Sequence, residues 1–380
     1  MSRAAGRLLL FARALPRFAG QLLARLAGQR QRPAEIRRIL IAHHLLLGDT
    51  LMLTALLAAL RQGYPSATLC MTCPQAITPL YAGKPYGVEV IAFDPRQSGT
   101  IKAVLASGPY DLAIVPGDNR HAWLALAAGS RWIIAHADDT PAWKNWPVDE
   151  AMPFPDRPTA WGDMAAQLGG GDGSLRYRLN DWPTPAAKPF DAPRQPYVVL
   201  HPGASTPLKN WSSDRWAQLA AWLVQQGYQP VWSAGAKETA LIDAADPQKL
   251  YPSFAGQLDL AQLWQLLAGA AALVCPDTGV AHLGRLTGTP TLALFGPGNA
   301  LISGAGQFWA DSPFVALTET EIACRNQTIL FRRHRDWIRR CGRSTRECQK
   351  AVCMDALDLD RVKQALASLL QHQEALTCAS

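Results

Sequence analysis

The sequence predicts an α/β protein built from two doubly wound halves, and three observations carry that prediction. Short apolar runs alternate with stretches of helical spacing throughout. A knot of prolines (Pro183, Pro185, Pro189, Pro193, Pro196) falls near the middle, and on either side of it the pattern restarts with an apolar strand that runs into a polar turn. Strands alternating with helices specify parallel sheets covered on both faces. The 380 residues suffice for two such domains, and 48 % hydrophobic with 18 % charged residues describes a folded globular chain.

In order along the first half, residues 38–42 (Arg-Ile-Leu-Ile-Ala) read as a strand, Gly48-Asp49 as the turn after it, and residues 50–62 as a helix with its apolar side inward. Further strands are expected at 67–71, 88–93, 111–115 and 131–135, with helices between. The prolines suit a semi-rigid linker. The second half restarts with a strand at 197–200, a helix at 214–226, a strand at 230–233 and a helix at 260–267. A buried strand at 270–274 and another at 291–295 follow, and a last helix spans 358–370. The expected division is a basic amphipathic extension (1–35), a first Rossmann-like domain (36–180), a linker (181–196), a second Rossmann-like domain (197–322), a Cys/Arg-rich segment (323–355) and a C-terminal helix and tail (356–380).

The net charge of +7 is concentrated in two places. Seven arginines (Arg3, Arg7, Arg13, Arg17, Arg25, Arg30, Arg32) precede the first acidic residue, Glu35, and a second run extends from Arg325 to Arg346. No apolar run is long enough to span a bilayer, and the start of the chain has neither the core nor the cleavage site of a signal peptide. Residues 1–30 alternate Arg with Leu, Phe and Ala at helical spacing, which suits a helix on an anionic membrane surface; a loosely ordered basic arm is the plainer alternative. Cys324, Cys341, Cys348 and Cys353 cluster with 16, 6 and 4 intervening residues, which matches no common zinc spacing. Reduced thiols packed in a small subdomain are expected, with a metal or cluster held by these four as the alternative.

The chemistry is expected at the strand ends. After 270–274, Asp277-Thr278-Gly279 opens a helix whose unpaired N–H groups and dipole suit an anion, and His282 lies one turn further on the same face. His201-Pro202-Gly203-Ala204-Ser205-Thr206-Pro207-Leu208-Lys209 follows the first strand of the second half. Here Gly203 allows close backbone approach, Ser205 and Thr206 offer hydroxyls, and Lys209 supplies a point charge. Glu238, at the next strand end, could take ribose hydroxyls or simply begin a helix. Asp49, after the first strand, is a helix cap or a general base. No Gly-x-Gly-x-x-Gly follows Ile41, which argues against a nicotinamide-dependent oxidoreductase, and no nucleic-acid module accompanies the arginines.

Taken together, these pieces resemble glycosyltransferase family 9, whose members include ADP-heptose:lipopolysaccharide heptosyltransferases. The resemblance is carried by Leu47-Gly48-Asp49-Thr50, Tyr110-Asp111-Leu112-Ala113-Ile114, the segment from His201 to Ser205 with Lys209 and Trp211, Asp277-Thr278-Gly279 with His282, and Gly288-Thr289-Pro290 with Leu294-Phe295-Gly296-Pro297. The resemblance implies a GT-B fold and an inverting, metal-independent transfer with no cofactor beyond a nucleotide-sugar donor, ADP-heptose. It implies Asp49 as general base, Lys209 neutralising the leaving diphosphate, and Ser205, Thr206, Thr278 and Gly279 contacting phosphate. Asp277 and His282 would shape the sugar side and Glu238 the ribose side. The expected partners are a phosphorylated glycolipid acceptor and an anionic membrane surface, not nucleic acid, with the protein peripheral on the cytoplasmic face of the inner membrane. Cys353-Met354 echoes one branch of the family, while the basic N-terminal extension and the Arg-rich stretch at 326–340, expected to be helical, depart from the family core.

Overall fold

The short apolar runs expected as strands in the first half become parallel strands, because a strand covered on both faces can be apolar throughout, whereas the apolar runs at 51–60 and 122–127 form helices. The structure, a computed structural model, describes residues 3–378 and divides into two units. The first unit runs to Leu175 and adds Asp181–Pro183 and Ile329–Trp337; the second takes Arg176–Asn180, Thr184–Thr328 and the chain from Ile338 onward.

The first unit begins with a long helix, α1 (Arg3–Leu26), and continues β1 (Arg38–Ile41), α2 (Leu47–Met52), α3 (Thr54–Gly63), β2 (Thr68–Cys73), β3 (Val88–Ala92), α4 (Ser98–Ser107), β4 (Tyr110–Val115), α5 (His121–Ala127), β5 (Ser130–His136), β6 (Glu150–Met152) and α6 (Trp161–Leu168). Its six strands are all parallel in the order β3-β2-β1-β4-β5-β6. That is the dinucleotide-fold order, with the direction of winding reversing between β1 and β4. Helices α1, α4 and α5 pack together on one face, and α3 packs on α6. The helix expected at 50–62 starts earlier, at Leu47, and breaks at Leu53 into α2 and α3. Asp49 is therefore not the cap: Leu46 holds the N-cap position, and Asp49 is the third helical residue, where a carboxylate still favours the helix dipole.

The second unit comprises β7 (Tyr197–Leu200), α7 (Ser213–Gln225), β8 (Gln229–Trp232), α8 (Thr239–Ala245), α9 (Leu260–Ala268), β9 (Ala272–Pro276), α10 (Gly279–Thr287), β10 (Thr291–Phe295) and β11 (Phe314–Thr318). The strand order is β11-β10-β9-β7-β8, all parallel, so winding reverses between β7 and β9. Strands β7, β9 and β10 are buried along their whole length. The chain closes with α11 (Val352–Asp355) and α12 (Leu359–Cys378), the latter packed on α7, β9, β10 and β11. Trp211, buried against Trp216, donates its indole N–H to the Leu357 carbonyl (2.7 Å) and ties this closing segment down.

The Arg-rich stretch expected to be helical is instead an antiparallel hairpin, β12 (Ile329–Leu330) and β13 (Arg333–His334), turned through Phe331 and Arg332 at positive φ. It belongs to the first unit. Arg333 is 1 % exposed and explains why a helix loses: its guanidinium donates to the carbonyls of Ala137 (2.6 Å), Gly117 (2.8 Å), His136 (2.8 Å) and Phe331 (3.0 Å) and to Asn119 Oδ1 (3.0 Å). A buried guanidinium needs this many acceptors, and a hairpin delivers it to the loops after β4 and β5. Arg333→Met should destabilise the first unit by about 3 kcal/mol by leaving these carbonyls unpaired, readable as a lower urea midpoint.

Burial pushes the imidazoles of His136 and His201, one in each unit, down from 6.5 to about 4. The unfolded chain then binds protons that the folded chain refuses. Stability should be complete above about pH 6.5, decline by up to about 1.4 kcal/mol per pH unit per histidine as pH falls, and level off below about 4. Melting temperatures measured from pH 8 to pH 4 would follow that fall; a flat profile would contradict it.

Candidate active site

In the second unit the donor-side candidates gather at the carboxyl ends of β7, β8 and β9. Strand β7 ends at Leu200, and the loop beyond it turns at Thr206, the N-cap of a short 3-10 turn (Pro207–Lys209), whose Oγ1 accepts from the Leu208 N–H. That turn places Lys209 across the reversal point of the sheet. Its Nζ donates to both the carbonyl oxygen (2.7 Å) and Oδ2 (2.8 Å) of Asp277, the residue after β9. Both side chains are largely buried, 19 % and 11 % exposed. An ammonium carries three N–H donors, so one remains for a third acceptor.

Asp277 is hemmed in from the other side by Gly298, where a Cβ would collide with its carboxylate. Thr278, extended at the N-cap of α10 and half-buried, and Gly279, the first helical residue, present the N-terminus of a nine-residue helix beside this pair. His282 is buried one turn in, and burial, followed by the charges of Arg285 and Lys209, holds its imidazole well below the usual range. It is neutral at pH 7. Its Nδ1 faces Arg285 Nη1 at 3.4 Å and must accept there, which assigns the proton to Nε2.

Arg285 is a residue that sequence reasoning missed. It is 1 % exposed, lies 3.6 Å from the centre of the Phe314 ring, and donates to the carbonyls of Gly304 (2.9 Å) and Ser303 (2.7 Å). It thereby fastens the loop after β10 to α10. Its only sequence signal was position, one turn beyond His282 on the same helical face.

Glu238 lies over the gap between β7 and β8. Its Oε2 accepts from the Gly235 N–H (3.0 Å), and the carboxylate sits so close over Gly203 that a Cβ there would push it aside. His201 Nδ1 and Ser233 Oγ, 2.8 Å apart, join the same two strand ends. Ser205 is exposed on the loop and Thr206 half-buried. A cavity of about 870 Å³ opens at the ends of β10 and β11, lined by Gly298, Asn299, Thr318, Arg325 and Arg339 among others; Gly298 is also the wall of Asp277. Beneath that loop, Gly296 leaves no room for a Cβ against Met354 and Cys353. Cys324, Cys341, Cys348 and Cys353 are unpaired thiols, and among the described residues no three His, Cys, Asp or Glu side chains stand close enough to hold a metal ion.

Asp49 lies in the first unit, after β1, at the reversal point of that sheet. Its backbone carbonyl accepts from the indole N–H of Trp161 (3.1 Å), which is 1 % exposed. The Phe331 ring of the hairpin packs on Trp161 at 4.4 Å and also covers Gly117, whose φ of 84° suits glycine. On the neighbouring strand ends, the buried Lys144 binds Asp139 (3.0 Å) and Asp118 (2.9 Å). Trp161 and Phe331 gave no sequence signal, since isolated aromatics read as core.

Gly203→Ala should displace the Glu238 carboxylate and weaken nucleotide binding roughly tenfold, about one hydrogen bond to a charged group, with little change in the unfolding midpoint. Glu238→Ala alone should cost as much, and the double variant no more, when titrated by calorimetry.

The Glycosyltransferase family 9 (heptosyltransferase) model matches residues 101–328, more than half of the chain. Lipopolysaccharide heptosyltransferase 1 of Pseudomonas aeruginosa is 28 % identical over 286 residues, which cover 70 % of this chain and 76 % of that protein. Among solved structures, E. coli ADP-heptose lipopolysaccharide heptosyltransferase II superposes with a TM-score of 0.67 at 19 % identity, covering 89 % of this chain and 100 % of that one. An iron-containing dodecameric glycosyltransferase of enterotoxigenic E. coli gives 0.58 at 16 % identity, covering 90 % of this chain and 78 % of that one. The two doubly wound units are those of the GT-B fold, and the chain belongs to glycosyltransferase family 9 and is a glycosyltransferase.

Proposed function

We propose that this enzyme transfers a heptose from ADP-heptose to a lipopolysaccharide core acceptor, with inversion and without a metal ion. The observation that carries this reading is the Lys209–Asp277 pair, which spans the point where the second sheet reverses its winding. Ligands of open α/β sheets sit outside the strand ends at that point. The heptosyltransferase names of the relatives supply the sugar and the acceptor class.

Asp49 accepts the proton of the acceptor hydroxyl, whose oxygen attacks the anomeric carbon opposite the departing diphosphate. The bond from that carbon to the diphosphate oxygen breaks, and negative charge grows on the leaving ADP. The remaining N–H of Lys209, the backbone N–H groups at Thr278 and Gly279, and the hydroxyls of Ser205 and Thr206 meet that charge, the role a metal ion would otherwise fill. Oε1 of Glu238 takes the ribose hydroxyls while Oε2 stays on Gly235. Asp277 and the neutral Nε2–H of His282 contact the sugar. The acceptor is a phosphorylated glycolipid, and the enzyme works at the inner face of the inner membrane, peripheral on an anionic surface.

Two other readings keep the fold. One transfers another sugar or uses another glycan acceptor. The other binds nucleotide-sugar without turnover, and the joint presence of Asp49, Lys209 and Asp277 disfavours it. Asp49→Ala should lower the transfer rate by roughly 10²–10⁴-fold while ADP affinity, titrated separately, stays within a factor of two or so. Wild-type turnover in that variant would remove Asp49 as the base.

A further inference from the structure

Between Leu8 and Leu26, helix α1 carries only four polar side chains, Arg13, Arg17, Gln21 and Arg25, each four residues after the last. That step aligns them in one ridge, and the ridge is fixed to the first unit. Arg13 donates to the Leu105 carbonyl (3.3 Å), Arg17 to the Arg13 carbonyl (3.3 Å), and Gln21 to the Pro147 carbonyl (2.8 Å) and Asp149 (2.8 Å). Arg25 reaches the carbonyls of Trp146 (2.8 Å) and Val148 (2.7 Å) and the Asp149 carboxylate (3.0 Å). Ala14 and Gln21 are buried, so the helix cannot roll.

The other face is therefore held outward, and it is apolar. Leu8, Phe11, Leu15, Leu22 and Leu26 recur on one face with Leu23 beside them, and each is between 42 and 78 % exposed. Trp146, 54 % exposed, stacks on Phe18 of the same helix, and Trp143, 41 % exposed, lies in the same turn. A helix on a globular protein ordinarily turns its apolar stripe inward, as α1 does with Leu9, Leu10, Ala14 and Phe18; the outward leucines form a second apolar face. A contiguous apolar patch of this kind is covered by something.

We infer that the outward face of α1 is a docking surface for a bilayer carrying anionic lipid. The leucines and Phe11 enter the acyl boundary, and Trp143 and Trp146 lie at headgroup level, where tryptophan is enriched. Arg13 and Arg17 remain exposed along the flank and suit anionic headgroups, whereas Arg25 and Arg30 are held by Asp149 and Arg32 by Glu150. A second copy is the rival occupant of this apolar face, and the experiment below separates the two. This inference rests on the membrane location proposed above and names the surface that makes it.

The test is flotation of the full chain with vesicles of phosphatidylethanolamine and phosphatidylglycerol, beside the variant carrying Leu15→Asp and Leu22→Asp. Both positions are exposed, so the variant should keep its unfolding midpoint and its ADP affinity. The wild type should float, salt should weaken it, and the variant's partition should fall roughly tenfold or more. Equal flotation of the two proteins would overturn the inference. So would a wild type that ignores vesicles but self-associates in sedimentation, with association lost in the variant, since a second copy would then cover the face. Vesicle binding without ADP binding would leave this surface standing and remove the transfer reading; ADP binding without vesicle binding would do the opposite.

Discussion

The ion pair between Lys209 and Asp277 organises the second unit, because it joins the ends of two strands that the chain reaches from opposite directions of winding. Neither side chain could remain charged and this buried alone. Asp277 is also confined by Gly298, and Lys209 is delivered by the tight turn that Thr206 caps. Around that pair, the start of α10, the neutral His282 and the Glu238 carboxylate take positions that a nucleotide diphosphate and its sugar could use.

The first unit has its own buried cation with a comparable role. Arg333 gathers the loops after β4 and β5 by their carbonyls, and the hairpin that carries it brings Phe331 against Trp161. Trp161 in turn holds the Asp49 carbonyl at the start of α2. The hairpin thus packs beside the residue proposed as general base.

Much of this was readable in the sequence, for a physical reason. Parallel strands buried on both faces are continuous apolar runs, so β4, β5, β7, β9 and β10 declare themselves. The edge strands β6 and β11 did not: one has three residues, and the other is only half-buried. The motifs at Lys209 and Asp277 were legible as polar, Gly-containing strand ends, but their pairing was not, because it depends on β7 and β9 being neighbours. Arginine density misled at the hairpin, since charge suggests solvent until a cage of carbonyls is supplied by residues some two hundred positions earlier in the chain. In α1 the spacing indicated an amphipathic helix, and only the contacts show which side packs: Ala14 and Gln21 are buried against the first unit while Arg13 and Arg17 stay exposed.

The most direct test of the central claim is calorimetric titration of the purified protein with ADP, UDP, GDP and ADP-heptose in the absence of added metal. Selective binding of ADP and ADP-heptose, lost in Lys209→Met, is the result this account predicts. Binding that prefers UDP or GDP would move the enzyme to another donor, and ADP binding unchanged by Lys209→Met would contradict the placement of the diphosphate at the Lys209–Asp277 pair.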